Sequence, residues 1–358
     1  MADLELRIKT YDRLDKGRLD SILNGIRKIR AALIGDICLD VYWRADMKKS
    51  ELSRETPHFP LPVVEEWASP GGGGNAAANI AALEPEKLYI MGVIGQDWRG
   101  MLLKSELTAR NMDTGYIIAS SARITDAYCK PLRRGISDVE YEDPRIDFTN
   151  YKRMPSREEG ELIRLLDEIS GKIDVLCVSD QMKFGCITEP VREKIIGLGR
   201  QGLRVVVDSR DRISHYRHVT LKPNEMEGHK AVCGEYGGAG LALNDHARMA
   251  AALSSKNSAN VCMTLGKNGC IYIEGQKVTH VPSYDVGQPM DTCGAGDTFL
   301  AAFSCALAAG AAGHEAAAFA NMAADVTIKK IGITGTASPG EIITRHSEVL
   351  DRRETGEA

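Results

Sequence analysis

The chain has 358 residues, 43% hydrophobic and 26% charged, which is enough for one large domain with a sizeable core. A net charge of −4 supplies no basic field for nucleic acid or an anionic membrane surface, so neither is expected as a partner. The longest apolar runs, such as Phe299 to Ala312, are too short to span a bilayer, and the charged start Met1-Ala2-Asp3-Leu4-Glu5 lacks a signal peptide's apolar core; a cytoplasmic protein is expected. The nine cysteines (38, 129, 177, 186, 233, 262, 270, 293 and 305) form no CxxC pair, and buried reduced thiols are expected.

Apolar positions at Leu14, Leu19, Ile22, Ile26 and Ile29 predict an N-terminal helical extension over residues 1–30. Ala31 to Gly35 reads as a buried parallel strand, followed by Asp36 and Asp40. Carboxylates past the C-terminal end of such a strand lie where open α/β sheets bind ligands, although Asp36 would equally cap a turn and Asp40 equally be a solvated charge. Residues 41–68, broken by Pro57, Pro60 and Pro62, predict short strands of a small added sheet. Gly71 to Gly74 then run into an alanine-rich helix with Asn75 at its cap position, implying flexibility or close backbone approach. Leu88 to Ile94 is a strand, and residues 116–148 again suggest a sheet appendage. From Glu158 onward helix and strand alternate, with strands at Val175 to Val178, Val205 to Val207, Val219 to Leu221 and Val261 to Leu265. A hairpin at 270–281 and helices near 298–310 and 314–330 complete an α/β sandwich with a mainly parallel sheet.

The turn Asp291-Thr292-Cys293-Gly294-Ala295-Gly296-Asp297 opens the apolar helix near 298–310. Backbone N–H groups at a glycine-rich helix start, aided by the helix dipole, suit a phosphate. An aspartate there suits deprotonation of a hydroxyl that attacks phosphorus, so the chemistry predicted is phosphoryl transfer. Because a helix N-terminus stabilises the anion, Asp297 is expected to be a weak base. Asn224 and Glu227, one helical turn apart, suit a hydrated Mg²⁺ carrying nucleotide phosphates, or simply a helix cap. Thr264-Leu265-Gly266-Lys267-Asn268-Gly269 offers a hydroxyl and flexible backbone at another strand end, or an ordinary hairpin turn. Neither a GxxxxGK[ST] loop nor a protein-kinase HRD motif is present.

Over residues 31–345 the chain resembles the ribokinase-like carbohydrate kinases, the phosphofructokinase-B family. The resemblance rests on Pro70 to Asn75 with Ala78-Asn79, on Asp291 to Phe299, and on NxxE and TLGxxG between them. It implies a three-layer α/β/α sandwich over residues 31–350, with a β-sheet lid from about 41–68 and 116–148, and a tail at 351–358. It implies Asp297 as catalytic base and Gly294, Ala295 and Gly296 as anion hole. Asp40, Gly71, Gly72 and Asn75, with Asp36 beside them, would hold the sugar. Asn224 and Glu227 would organise Mg²⁺ and ATP phosphates. Thr264, Gly266 and Gly269 would touch the nucleotide, Asn321 and the loop from Gly332 to Ser338 would border adenine, and Asp291 would lie near a monovalent cation such as K⁺. A homodimer through the lid is a further implication.

Within the family the resemblance extends to the heptose 7-phosphate kinases, through Gly35 to Trp43, Thr56 to Val64, Val178-Ser179-Asp180 with Lys183, and Gly332 to Pro339. The leading substrate is therefore D-glycero-β-D-manno-heptose 7-phosphate, phosphorylated at the 1-hydroxyl, a lipopolysaccharide-core precursor. Ribose, fructose and a fructose phosphate are alternatives, and a non-catalytic sugar or nucleotide sensor is the alternative of another class. A phosphorylated acceptor needs a cationic clamp, for which Arg145 and Lys183 are candidates beside Lys130, Arg133 and Arg134. Three departures stand out. Cys293 occupies a position where relatives more often have Thr, Lys222 replaces a frequent Thr, and residues 135–143 look longer than usual. With no nucleotidyltransferase segment after Leu350, a single-activity form is expected.

Overall fold

The strands with unbroken apolar sequence form the middle of the molecule, because a strand covered by helices on both faces must be apolar on both. The structure, a computed structural model, describes residues 7–137 and 139–355. In chain order the first elements are β1 (Ile8–Thr10), α1 (Lys16–Ile26), β2 (Arg30–Gly35), β3 (Ile37–Asp46), β4 (Val63–Gly72), α2 (Gly73–Ala82), β5 (Lys87–Gly95), α3 (Trp98–Ala109) and β6 (Asp113–Ser120). Next come β7 (Ala127–Arg134), β8 (Glu140–Glu142), β9 (Ile146–Phe148), α4 (Ser156–Ser170), β10 (Val175–Asp180), α5 (Glu189–Arg200), β11 (Arg204–Ser209) and β12 (Thr220–Leu221). The chain closes with α6 (Glu225–Cys233), α7 (Leu243–Asn257), β13 (Asn260–Thr264), β14 (Cys270–Glu274), β15 (Lys277–Val281), α8 (Ala295–Ala308), α9 (Gly313–Thr327) and α10 (Pro339–Thr355).

Ten strands form the main sheet in the order β1-β15-β14-β13-β12-β11-β10-β2-β5-β6. All its pairs are parallel except the two made by β14. Alternate residues feed separate cores. Leu33, Cys177 and Val206 pack on the face covered by α1, α2, α8 and α9, whereas Ile34, Val178 and Val207 pack on the face covered by α4, α5 and α7. The strand order reverses between β2 and β10, so ligands are expected in the crevice outside those strands' C-terminal ends.

A second sheet, β4-β3-β7-β8 with β9 also on β7, rises from that crevice. Only Asp36 separates β2 from β3, and it ties the two sheets through its N–H to the Ser179 carbonyl at 3.0 Å. The expected boundary of this second sheet shifts. Residues 113–120 pair with β5 as the edge of the main sheet, and the small sheet takes up the chain again at Ala127.

The N-terminal segment is continuous with the main domain. β1 pairs in parallel with β15, and α1 buries Leu19, Ile22, Leu23 and Ile26 against the main domain. The helical period was legible, but a three-residue edge strand leaves no periodic signal. Of the expected tail, residues 351–355 continue α10, and 356–358, like 1–6, lie outside the described residues. Among the described residues no helix is long and apolar enough to cross a membrane. All nine cysteines are free, with Cys233 and Cys293 exposed rather than buried.

Candidate active site

A cavity of about 880 Å³ opens at the C-terminal ends of the central strands, bordered by the start of α8. Gly294, at φ +79°, is the residue before that helix, and a Cβ there would sit 2.8 Å from the Asn75 amide nitrogen. Both the left-handed backbone and the close approach require glycine. The Ala295 N–H turns back to the Thr292 carbonyl at 3.2 Å, so of the expected anion-hole donors this one is engaged within the turn. Gly294, Ala295, Gly296 and Asp297 all line the cavity.

Asp297 is joined to the glycine-rich segment by a direct contact. Asn75 Nδ2 donates to Asp297 Oδ2 at 2.8 Å, Asn79 Nδ2 donates to the Asn75 carbonyl at 3.0 Å, and Thr298 Oγ1 donates to Asn79 Oδ1 at 2.8 Å. Asn75 is therefore not the cap of α2. It lies inside the first turn, Gly72 takes the cap position without a side-chain bond, and the Asn75 amide is spent on the carboxylate.

The expectation that Asp297 is a weak base is overturned. Burial pushes its carboxyl up to about 6; Asn75 and Lys222 oppose the rise, while the charges of Asp208 and Asp40 add to it. Asp297 lines the cavity and keeps partial solvent access, yet the loss of hydration at its carboxylate outweighs the helix dipole.

Asp208 is the last residue but one of β11 and Lys222 follows β12, and their side chains form an ion pair at 2.9 Å. Both line the cavity, with Lys222 only 2% exposed and Asp208 6%. Asn224 and Glu227 cap α6 reciprocally, with Glu227 N donating to Asn224 Oδ1 and Asn224 N to Glu227 Oε2, each at 2.8 Å. The cap and the cavity wall are thus the same two residues. Burial and the nearby Asp208 charge push Glu227 up to about 7. Two carboxylates held close beside a phosphate-sized space fit a hydrated Mg²⁺, which would relieve their repulsion. No cluster of three or more His, Cys, Asp or Glu able to hold an ion by itself forms among the described residues.

On the lid side, Asp40 is buried with Lys130 Nζ 3.4 Å away, and Lys130 also donates to the Tyr42 hydroxyl at 3.0 Å. Burial raises Asp40 despite Lys130. A Cβ on Gly71 would meet Asp40 Oδ1 at 2.8 Å and Cys38 Sγ at 2.9 Å, and one on Gly72, at φ +53°, would meet the Asp36 carbonyl at 2.7 Å. Close approach, rather than flexibility, explains these glycines. Gly71→Ala should push Asp40 aside and raise the acceptor KM at least tenfold while leaving the KM for nucleotide unchanged; steady-state kinetics in both substrates checks this.

Asp36 does not join that constellation. It is buried, and its oxygens accept N–H groups from Gln181, Met182 and Cys186 at 2.7–2.9 Å, bracing the loop after β10. Its carboxyl is pushed up to about 6 by burial and then by Asp180. Arg145 stacks 4.3 Å from the Tyr128 ring centre and makes a bidentate pair with Asp147, close enough to Asp40 for its charge to be felt. Lys183 is exposed, 5.4 Å from the Phe184 ring centre, and is not part of the cavity lining.

Thr264, Gly266, Gly269 and Asn321 line the far end of the cavity, with Ser283 to Val286, Ala324, Asp325 and Ile328. Gly269, at φ +79°, lies where a Cβ would be 2.1 Å from the Val281 carbonyl. A buried pair, Asp325 with Arg345 at 2.9 Å, ties this wall to the carbonyls of Tyr284 and Asp285. The expected adenine border at Gly332 to Ser338 is not part of the lining. Ser338 caps α10 with Glu341, and Asn79 reaches towards the Gly335 carbonyl at 3.5 Å. Asp291 accepts N–H groups from Cys293 at 2.9 Å and Gly332 at 3.1 Å, which closes a loop.

Asp208 and Lys222 are the main residues that sequence reasoning left without a role. Their signal was a polar residue at each strand end, which is too common to stand out alone.

The fold and this site define a class of protein: a phosphotransferase with an alcohol group as acceptor. Residues 204–339 match the model of the pfkB family carbohydrate kinases, so the chain carries a carbohydrate-kinase domain of that kind. It is 30% identical over 92% of its length to the bifunctional protein HldE of Citrifermentans bemidjiense, covering 66% of that protein. It is 29% identical over 92% of its length to that of Geobacter metallireducens. The chain spans 65% of the length of the Geobacter metallireducens relative. Its fold is similar to that of Arabidopsis thaliana ribokinase complexed with ribose and ATP (TM-score 0.63, 19% identity, 89% of this chain and 99% of that one). It is also similar to phosphofructokinase-2 of Escherichia coli in complex with fructose-6-phosphate (TM-score 0.69, 19% identity, 90% and 99%).

Proposed function

We propose that this chain transfers the γ-phosphoryl group of ATP to a hydroxyl of a sugar phosphate, with D-glycero-β-D-manno-heptose 7-phosphate, at its 1-hydroxyl, as the leading acceptor. The observation that carries the transfer is the placement of Asp297. It is held by Asn75 at 2.8 Å at the mouth of an anion-suited helix, between the Asp208–Lys222 pair and the buried Asp40. HldE relatives and the stretches shared with heptose 7-phosphate kinases support the acceptor.

In this mechanism Asp40 and the backbone at Gly71 and Gly72 orient the acceptor, and Asn75 aims the carboxylate. Asp297 takes the hydroxyl proton late, as the oxygen–phosphorus bond forms and the bridging bond of ATP breaks to release ADP. The start of α8 and the Lys222 ammonium receive the negative charge on the moving group. Mg²⁺, where bound, neutralises phosphate charge, and Asp208 and Glu227 would hold it through water. Thr264, Gly266, Gly269 and Asn321 form the nucleotide wall. The small sheet acts as a lid that excludes water, which would otherwise compete for the phosphoryl group. A homodimer through the lid, in a cytoplasmic setting, completes the proposal. Exposed Leu52, Phe59, Leu61, Val63 and Val64 on and before β4 support that contact.

A coupled assay of ADP release across heptose 7-phosphate, ribose, fructose and fructose 6-phosphate tests the function. Release driven by the heptose phosphate alone supports it. Release with another sugar alone would move the substrate, and no sugar-dependent release would turn the reading towards a sensor. Turnover should also fall about tenfold per pH unit below about 6, because the base works only when deprotonated. Glu227 gains its proton at about 7, so the KM for nucleotide should rise first as the pH drops; pH profiles of kcat and kcat/KM separate the two.

A further inference from the structure

We infer that Lys130 makes this site selective for acceptors that are themselves anions, by exchanging Asp40 for the acceptor's negative group. The inference rests on the kinase reading above and deepens it. β3 and β7 run parallel, with Asp40 opposite Tyr128 and Tyr42 opposite Lys130. Residues 40 and 42, and 128 and 130, are each two apart, so all four side chains share one face of the lid sheet. Tyr42 is fixed by stacking on Trp67, with ring centres 5.1 Å apart and planes 2° apart, and the Lys130 ammonium lies 4.6 Å over the Tyr42 ring. Arg145, on Tyr128, adds a second cation to the same face.

Lys130 has three donors, one directed to a neutral hydroxyl at 3.0 Å and one to a carboxylate at 3.4 Å. The second contact is long for a charge-assisted bond, which is usually near 2.8 Å. An acceptor whose hydroxyls bind Asp40 competes with that long contact. A neutral sugar would then leave a largely buried ammonium with only a phenol and a ring for company, which is costly. A phosphorylated sugar gives the ammonium a new partner at the moment it loses the old one. Burial pushes the Cys293 thiol up and the Lys130 charge opposes that rise, so this cation acts on the phosphoryl-transfer turn as well as on the lid.

The experiment is calorimetric titration without nucleotide, using heptose 7-phosphate and the same heptose without its phosphate, against the wild type, Lys130→Met and Lys130→Arg. In the wild type the phosphorylated sugar should bind at least 30-fold more tightly. In Lys130→Met that ratio should collapse below about threefold, with the neutral heptose binding as well as before or better, because no ammonium has to be abandoned. Lys130→Arg should keep most of the preference, and ATP affinity should be unchanged in both variants, which also reports folding. Equal binding of both sugars by the wild type would overturn the inference. So would a preserved ratio in Lys130→Met, or equal weakening of both sugars, the mark of a structural role. If the titrations behave as expected but no ADP is released, the kinase reading fails and this one stands.

Discussion

Asp297→Asn lowers turnover by about 10³-fold and leaves nucleotide affinity within about threefold, because the change removes the base without removing the anion site. An amide at this position can still accept the Asn75 N–H, so the turn keeps its shape. The same variant should be more heat-stable than the wild type at pH 8. The folded protein holds the Asp297 carboxyl at about 6 against 3.8 for the free side chain. Between these values the folded state binds the extra proton, so wild-type stability falls as pH rises through that window and the cost is complete above it. Allowing for water in the cavity, the cost is about 2 kcal/mol at pH 8. Thermal unfolding at pH 8 and pH 4 checks both halves, since the advantage of the variant should vanish at the lower pH. Wild-type-like turnover in the variant would remove Asp297 from the chemistry.

Lys222→Met carries the second large effect, and it goes the other way in stability. The ammonium is 2% exposed and sits 2.9 Å from Asp208, with the Glu227 and Asp297 charges also acting on it. Removing it leaves buried carboxylates without their cation, at a cost of about 3 kcal/mol at neutral pH. It also removes a donor to the transferred group, for a loss of about 10²-fold in kcat/KM for nucleotide. Denaturant unfolding and steady-state kinetics read the two losses separately. Restored stability at pH 5 would follow from protonation of the freed carboxylates. Unchanged stability at pH 7 would mean that the pair contributes little.

Asp297 and Lys222 illustrate what was legible. The turn from Asp291 to Asp297 could be read as an anion site with a base because glycines, a helix start and an acid lie together in the chain. The alternation of apolar strands with amphipathic helices likewise exposed the parallel sheet, since strand burial leaves its mark on every residue of the strand. Lys222 had no such local mark. It stands out only as a departure from a frequent Thr, and its partner Asp208 lies fourteen residues before it on a neighbouring strand.

The sequence by itself therefore determined the reaction class, the fold class and the glycines that let backbone and ligand approach. These depend on residue type and local spacing. Tertiary structure decided which polar groups serve one another. It took Asn75 from the cap of α2 and gave it to Asp297, 222 positions on. It withdrew Asp36 from the ligand and spent it on three backbone N–H groups. It set Lys130 against Asp40 across two parallel lid strands. It also turned Asp297 from a weak base into one that titrates at about 6, since the loss of water around a carboxylate is a property of the whole enclosure and no local pattern records it.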